Sequence, residues 1–91
     1  MTTENKYFRE LTLNLQRAGF TVGPEADNLL PVELDGKRLC VATEGGSIRY
    51  RKEDVASEAR TEALDKVIDI TKATAEYMSQ MKAVPFLNPS R

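Results

Sequence analysis

Nucleophiles, general bases and metal ligands are the residues through which a protein does chemistry, and this sequence offers few of them. It contains no histidine, which removes the commonest general base and the commonest metal ligand. Cys40 is the only cysteine, so an internal disulfide and a Cys/His zinc site are both excluded. A neighbouring cation would favour the Cys40 thiolate. Because no partner base is apparent, we interpret Cys40 as an inert side chain within a strand.

Carboxylates occur in pairs one helical turn apart, at Glu58 with Glu62 and at Asp65 with Asp69. Such pairs serve acid–base catalysis in some enzymes. Here Lys66 follows Glu62 by four residues, a favourable helical ion pair that indicates a solvated helix face. The sequence contains neither the spacing of a calcium-binding loop nor a glycine-rich phosphate loop. We therefore predict a non-enzymatic protein with no catalytic residue, no metal and no cofactor.

Basic residues are concentrated in one part of the chain. Residues 37–52 carry five basic residues and one acid, whereas residues 53–69 carry six acids and two bases. One interpretation is a basic surface for phosphate or for an acidic partner. Its members would be Arg38, Arg49, Arg51 and Lys52. A second interpretation is an exposed sheet face whose charges prevent edge pairing, and a third pairs the acidic helix of one copy with the basic hairpin of another.

Two helices would position these residues, and apolar side chains at helical spacing predict both. The first covers residues 4–18 and ends at Gly19, which supplies the left-handed position after a helix. The second covers residues 54–82 and is capped by Asp54 or Ser57. Its apolar stripe consists of Ala63, Val67, Ile70, Thr74, Tyr77, Met81 and Val84, widened by Leu64, Ile68 and Met78.

The segment between the helices predicts three or four antiparallel strands. Asp35-Gly36 is a typical type I′ turn pair, and Gly45-Gly46 predicts a second two-residue turn. Alternation from these turns assigns an inner face to Leu30, Val32, Leu39, Val41, Thr43, Ile48 and Tyr50. It assigns an outer face to Glu33, Arg38, Cys40, Ala42, Arg49 and Arg51. A second loop of three residues would remove the last two arginines from the outer face.

The predicted fold class is α+β, with an N-terminal helix, a three- or four-stranded antiparallel meander and a long C-terminal helix packed on one sheet face. Residues 1–84 would form a single domain. Residues 85–91 would form an extended tail, because Pro85 does not continue a helix.

The long helix exceeds what a small sheet can cover. A helix of about 29 residues spans roughly 43 Å, whereas a strand of about six residues spans roughly 20 Å. Tyr77, Met78 and Met81 therefore need another cover: the N-terminal helix, a second copy or another protein. Phe86 and Leu87 in the tail are apolar and need a cover for the same reason. We predict an interaction or assembly domain that forms a homodimer, or binds another protein, through this part of the helix.

The alternative prediction is a nucleic-acid-associated accessory protein that uses the basic sheet face. A net charge of −1 and the absence of tryptophan weaken this interpretation, because such proteins usually combine basic excess with stacking aromatics. No apolar run approaches about 18 residues, so we expect no membrane partner. Residues 1–10 do not read as a secretory signal and the single cysteine is unpaired, so we expect a cytoplasmic protein.

The stretch from Leu29 to Tyr50, together with Tyr77-Met78 and Pro85, resembles small proteins encoded on mobile elements of Gram-positive gut bacteria. That group has no assigned activity. The resemblance therefore implies no catalytic residue, cofactor or ligand for this chain.

Overall fold

The computed structural model describes residues 6–87, and it describes side chains for residues 6–80. The elements in chain order are α1 (Lys6–Arg17), β1 (Thr21–Val22), β2 (Leu29–Leu34), β3 (Lys37–Thr43), β4 (Ile48–Arg49) and α2 (Glu58–Leu87), with a short 3₁₀ turn at Lys52–Val55. The four strands form one antiparallel sheet in the order β1-β2-β3-β4. The predicted α+β architecture is therefore confirmed.

The helix α1 ends as its sequence predicts. Gly19 has a φ of 99°, and its amide donates to the Gln16 carbonyl at 3.0 Å. The amide of Phe20 donates to the Leu15 carbonyl, also at 3.0 Å. These two bonds form a Schellman motif, which satisfies the last carbonyls of the helix and turns the chain into β1.

Two tight turns with positive φ angles order the first three strands. Asp35 and Gly36 have φ angles of 57° and 80°, which confirms the type I′ turn. Asp27 and Asn28 have φ angles of 54° and 63° and connect β1 to β2 in the same way. Asp and Asn suit this turn, because they tolerate the left-handed region best among non-glycine residues.

The pairing of β2 with β3 contains a β-bulge. Near the turn, Glu33 pairs with Arg38 as predicted. Beyond it the register shifts by one residue, so that Val32 pairs with Cys40 instead of Leu39. Two consecutive residues of β3 thereby face one residue of β2, and both Leu39 and Cys40 are buried.

The hairpin between β3 and β4 also differs by one residue from its prediction. Thr43 and Ser47 close a three-residue loop, since the Thr43 amide donates to the Ser47 carbonyl at 2.9 Å. Gly46 has a φ of 91°, the left-handed residue that such loops require. The predicted two-residue turn at Gly45-Gly46 was wrong, because two glycines fit either loop length.

The bulge and the longer loop each shift the pairing by one residue. The two shifts cancel in β4, but the residues of β3 that lie between them remain shifted. Ile48 keeps its predicted inner position and Arg49 its predicted outer position, opposite Ala42 and Val41. Four consecutive residues of β3 exchange faces, and the predictions for them were wrong. They are Cys40 and Ala42, now in the core, and Val41 and Thr43, now on the outer face. Tyr50 was also wrongly placed inside: β4 ends at Arg49, and Tyr50 is 53% exposed.

The core lies between the two helices and the inner face of the sheet. It consists of Phe8, Leu11 and Leu15 from α1, Phe20 after it, Leu30, Val32, Leu39, Cys40 and Ala42 from the sheet, and Ala63, Leu64 and Val67 from α2. Thr71 and Thr74 extend the buried side of α2, and their hydroxyls donate to helix carbonyls one turn earlier, at 2.8 Å in both cases. The helix thus buries polar side chains without leaving them unsatisfied.

The helix α2 begins four residues after the predicted start at residue 54, directly after the second of its two predicted caps, and it ends beyond the predicted end at residue 82. The helix begins at Glu58, and Ser57 is its N-cap, with Ser57 Oγ accepting a hydrogen bond from the Arg60 amide at 3.2 Å. At the other end the helix passes through Pro85 to Leu87, so residues 85–87 are helical, not extended as predicted. Proline costs a helix one backbone hydrogen bond, but its fixed φ is helical. The rest of the predicted tail, residues 88–91, lies outside the described residues.

Candidate functional site

The outer face of the sheet carries a shallow concavity of about 290 Å³ that brings the predicted arginines together. It is lined by Leu29, Arg38, Cys40, Val41, Arg49, Tyr50, Arg51 and Asp54. We call this concavity the arginine groove. Lys52, the fourth predicted basic residue, is exposed in the 3₁₀ turn and does not line it.

The bulge and the strand pairing explain how the groove forms. Because Leu39 and Cys40 both take the core side, Arg38 and Val41 share the outer side of β3. Arg49 pairs with Val41 across β3 and β4, so its side chain lies on the same face. The chain leaves the sheet after Arg49 and carries the next two groove residues with it.

Positive charge predominates in the arginine groove. Arg38, Arg49 and Arg51 line it together with one acid, Asp54. Glu33 lies across the strand pair from Arg38. Within the described part of the chain, none of these three guanidinium groups forms an ion pair. Three cations that converge without internal neutralisation favour an anionic ligand.

Cys40 lies beneath this groove with its side chain turned to the core. Its side chain is buried in the core, and burial raises the pKa of the thiol to about 12, against the opposing influence of the nearby Arg38 guanidinium. The thiol is therefore protonated at neutral pH, as an inert core side chain requires. This burial agrees with the predicted inertness of Cys40, whereas its predicted position on the outer face was wrong.

Arg60 holds the neighbouring hairpin in place. Its Nη2 donates to the Arg38 carbonyl at 2.8 Å and to the Lys37 carbonyl at 3.4 Å, and its Nη1 donates to the Leu34 carbonyl at 3.4 Å. Its Nε donates to the Asp54 carbonyl at 2.5 Å. One guanidinium on α2 thus binds both the β2–β3 turn and the 3₁₀ turn, a geometry that suits the planar fork of arginine.

Sequence reasoning missed Arg60, although a signal was present. The buried positions Ala63, Leu64 and Val67 continue backwards at helical spacing to residue 60. A basic residue on the apolar side of a helix, among acidic neighbours on the other sides, is a candidate for a structural hydrogen-bond donor. In the charge pattern of the sequence, by contrast, Arg60 is only one of two bases in an acidic stretch.

A second exposed feature lies on the later turns of α2. Tyr77 is 48% exposed, and Met78 is half-buried. Met78 lines a concavity of about 240 Å³ together with Tyr7, Glu44, Gly45, Gly46, Ala75 and Ser79. We call Tyr77 and Met78 the distal patch. The side chains of Met81, Phe86 and Leu87, also predicted to interact, lie outside the described residues.

The helix α1 runs beside α2 as far as the distal patch. Asn14 Nδ2 donates to Thr74 Oγ1 at 2.9 Å, and Tyr7, near the start of α1, shares a concavity with Met78. The Tyr7 hydroxyl is buried without a hydrogen-bond partner among the described residues, and burial raises its pKa. The two helices are therefore antiparallel neighbours, and among the residues whose side chains are described their shared concavity extends to Ser79.

The paired carboxylates of the sequence do not form a site. Glu58, Glu62, Asp65 and Asp69 are all exposed on α2. Nowhere in the described residues do three side chains of the His, Cys, Asp or Glu types come together as metal ligands would. None of the helices described has both the length and the apolar character to cross a bilayer.

Comparison of the chain with protein-family models, with curated proteins and with solved structures gives no match. The resemblance to small proteins of mobile elements therefore stays a prediction. Among the described residues, the arginine groove and the distal patch are the surfaces on which the proposals below are based.

Proposed function

We propose that this protein is a non-enzymatic interaction domain that self-associates through the later turns of α2. The exposure of Tyr77 carries the proposal. Thr74, one turn earlier, is 1% exposed and bonded to α1, whereas Tyr77 is 48% exposed on the same helix. The exposed fraction of the predicted stripe therefore rises steeply within one helical turn at Tyr77, while Met78 beside it is half-buried.

The length of α2 extends this argument. The helix has 30 residues and spans about 45 Å, of which residues 80–87 make up about 12 Å. A long helix depends on packing for most of its stability. Its last two turns also contain Met81, Val84 and Phe86 in sequence, which continue an apolar pattern. Packing against a second copy is the simplest source of cover.

The residue types at the distal patch favour a protein partner. Tyrosine and methionine are enriched at the centres of protein interfaces, while lysine and glutamate are depleted there. Two antiparallel copies of the same helix would bury one apolar stripe against the other in an isologous contact. A formal net charge of −1 opposes such pairing only weakly.

Light scattering coupled to size-exclusion chromatography tests the proposal. We expect a mass of twice the 10.2 kDa chain mass at high concentration and dissociation on dilution. Tyr77→Glu should raise the dissociation constant about tenfold or more, because it places a charge in the buried contact. Ala59→Glu adds the same charge at an exposed position in the first turn of α2 and should leave the constant unchanged.

A wild-type protein that stays monomeric at every concentration would contradict the proposal. So would a dimer that Tyr77→Glu and Ala59→Glu affect equally, since that dimer would not use the distal patch. Circular dichroism of both variants confirms that the fold is retained.

A further inference from the structure

We propose that the arginine groove binds a short segment of single-stranded nucleic acid, with phosphates held by Arg38, Arg49 and Arg51 and a base stacked on Tyr50. The site is separate from the distal patch and goes beyond self-association. It rests on three observations: unpaired cations, an exposed aromatic ring and a preformed concave surface.

The arginines supply the electrostatic part. A guanidinium is planar and presents a fork of donors that matches two phosphate oxygens. Arg38, Arg49 and Arg51 line one concavity of about 290 Å³, and no ion pair within the described residues neutralises them. Asp54 is the single acid in the lining. The groove thus combines three donors for phosphate with one opposing charge.

Tyr50 supplies the part that identifies the ligand. Its ring is 53% exposed, although alternation along the strand predicted an inward position. It lies between Arg49 and Arg51 in the chain and lines the same concavity. An exposed aromatic ring between arginines is the arrangement on which unpaired bases stack, because every base has a π-face and its phosphate lies nearby.

Apolar residues line the rest of the groove. Leu29 and Val41 are half-buried on the outer face of the sheet and line the concavity beside the arginines. Such a surface accepts the flat face of a base or the edge of a sugar. Phosphate ions alone would gain nothing from it, so a ligand with both anionic and apolar parts fits best.

The alternatives use only part of this surface. An acidic peptide would engage the arginines but would leave the Tyr50 ring without a role. A duplex hides the faces of its bases, so only its phosphates would contact the groove. The exposed acids of α2, Glu62, Asp65 and Asp69, repel any polyanion, which confines binding to the outer face of the sheet.

The groove is held in shape before any ligand arrives. The Arg38 carbonyl accepts a hydrogen bond from Arg60 at 2.8 Å, which fixes the backbone that carries the Arg38 side chain. Arg60 also binds the carbonyl of Asp54, another residue that lines the groove. Preorganisation of this kind lowers the entropy cost of binding.

Fluorescence anisotropy with labelled oligothymidylate and oligouridylate tests the proposal at low salt. Contact with three phosphates predicts a slope of about −2 for log Kobs against log salt concentration. Tyr50→Ala should weaken binding about tenfold, while Tyr50→Phe keeps the stacking surface and should bind as the wild type does. Arg49→Gln should weaken binding about tenfold through the loss of a charged contact.

Controls separate this site from the rest of the molecule. Arg17→Gln removes an exposed arginine at the end of α1 and should change affinity little. A labelled duplex of the same length and an oligoglutamate peptide serve as competing ligands, and both should bind more weakly than the single strand.

Several results would overturn the proposal. Absence of binding at low salt removes it outright. Equal binding by the wild type and Tyr50→Ala eliminates the stacking role, and stronger binding of duplex or of oligoglutamate assigns the groove to that ligand instead. None of these results would count for or against the proposal that the chain self-associates through Tyr77.

Discussion

The β2–β3 and β3–β4 turns of the sheet are held by different kinds of interaction. The β2–β3 turn is bound by a distant side chain, because Arg60 donates to the carbonyls of Leu34, Lys37 and Arg38. The β3–β4 turn is closed by its own residues. Thr43 Oγ1 lies 2.8 Å from Ser47 Oγ, and the Thr43 amide donates to the Ser47 carbonyl at 2.9 Å.

The first of these turns is therefore tied to another element of the fold, whereas the second is closed by its own residues. The first turn is fixed to α2, so it holds the rim of the arginine groove in a constant position. The second turn contributes Glu44, Gly45 and Gly46 to the concavity beside the distal patch. A change in the first turn should therefore affect global stability, whereas a change in the second should stay local.

Arg60→Gln should have the largest effect of the changes considered for the turns. It removes a charged donor from four backbone carbonyls, and the bonds to Asp54 and Leu34 are part-buried, so we expect the free energy of unfolding to fall by about 2 kcal/mol. Urea denaturation measures this loss. Oligonucleotide affinity should fall as well, because Arg38 and Asp54 lose the bonds that position them.

The matched control is Lys66→Gln, which removes the same charge from an exposed position on the same helix. Its effect on the unfolding free energy should stay within about 0.5 kcal/mol. We call the hydrogen bonds from Arg60 to the first turn the clamp. If Arg60→Gln cost no more unfolding free energy than this control, the clamp would contribute nothing to stability, and the two turns would not differ in this respect. Arg60→Lys should retain little of the stability that Arg60 provides, since lysine lacks the planar fork of donors of a guanidinium group.

The sequence predicted the first turn better than the second for a physical reason. Asp35-Gly36 reads as a type I′ pair, which fits both the loop length and the hairpin twist, and its predicted register holds as far as Glu33. Gly45-Gly46 fits several loops equally well. The choice among them depends on the Thr43–Ser47 contact, which no local propensity reveals.

The alternation of apolar and polar residues in the sequence could not predict the bulge in β3. Leu39 and Cys40 are adjacent apolar residues, so either can take the inner face, and the packing of α1 and α2 on the sheet decides that both do. Strict alternation was therefore wrong for Val41 and Ala42. Arg49, by contrast, keeps its predicted outer position, because the bulge and the longer loop each shift the pairing by one residue and the two shifts cancel.

The helices show the same division between local and tertiary information. The end of α1 at Gly19 is a local signal, and the structure has it as predicted. The distribution of exposure along α2 is not local: Thr74 and Tyr77 both belong to the predicted stripe, yet only Thr74 is covered. Which part of a stripe is buried depends on where the neighbouring helix ends.

Replacing the left-handed glycine in each turn should give an intermediate effect. Gly36 and Gly46 have similar φ angles, 80° and 91°, and a Cβ added to either glycine would have no other atom within 4 Å. The intrinsic cost of alanine at positive φ is about 1 kcal/mol in both. Gly36→Ala should cost more than this, because Arg60 prevents the first turn from relaxing.

Gly46→Ala should cost about 1 kcal/mol or less, because the second loop is free to adjust its backbone. Thermal or urea unfolding of the two variants gives the comparison directly. Equal losses would show that the clamp does not stiffen the first turn. A larger loss at Gly46 would reverse the assignment of fixed and adjustable turns.

Thr43→Val should have the smallest effect on stability. The substitution keeps the shape of the side chain and removes the hydroxyl that bonds Ser47 Oγ and accepts from the Ser47 amide at 3.2 Å. Both bonds are exposed, so water replaces them, and we expect a loss of about 0.5 kcal/mol. The valine also retains the β-branched shape that strands favour.

Hydrogen exchange is the more sensitive measurement for this variant. The Gly46 amide, which donates to the Thr43 carbonyl at 3.1 Å, should exchange faster in Thr43→Val, while amides around the first turn keep their wild-type protection. Faster exchange in both turns would mean that they open together. The β3–β4 loop would then be part of the same cooperative unit as the clamped hairpin, and its closing hydroxyl pair would matter to the whole sheet.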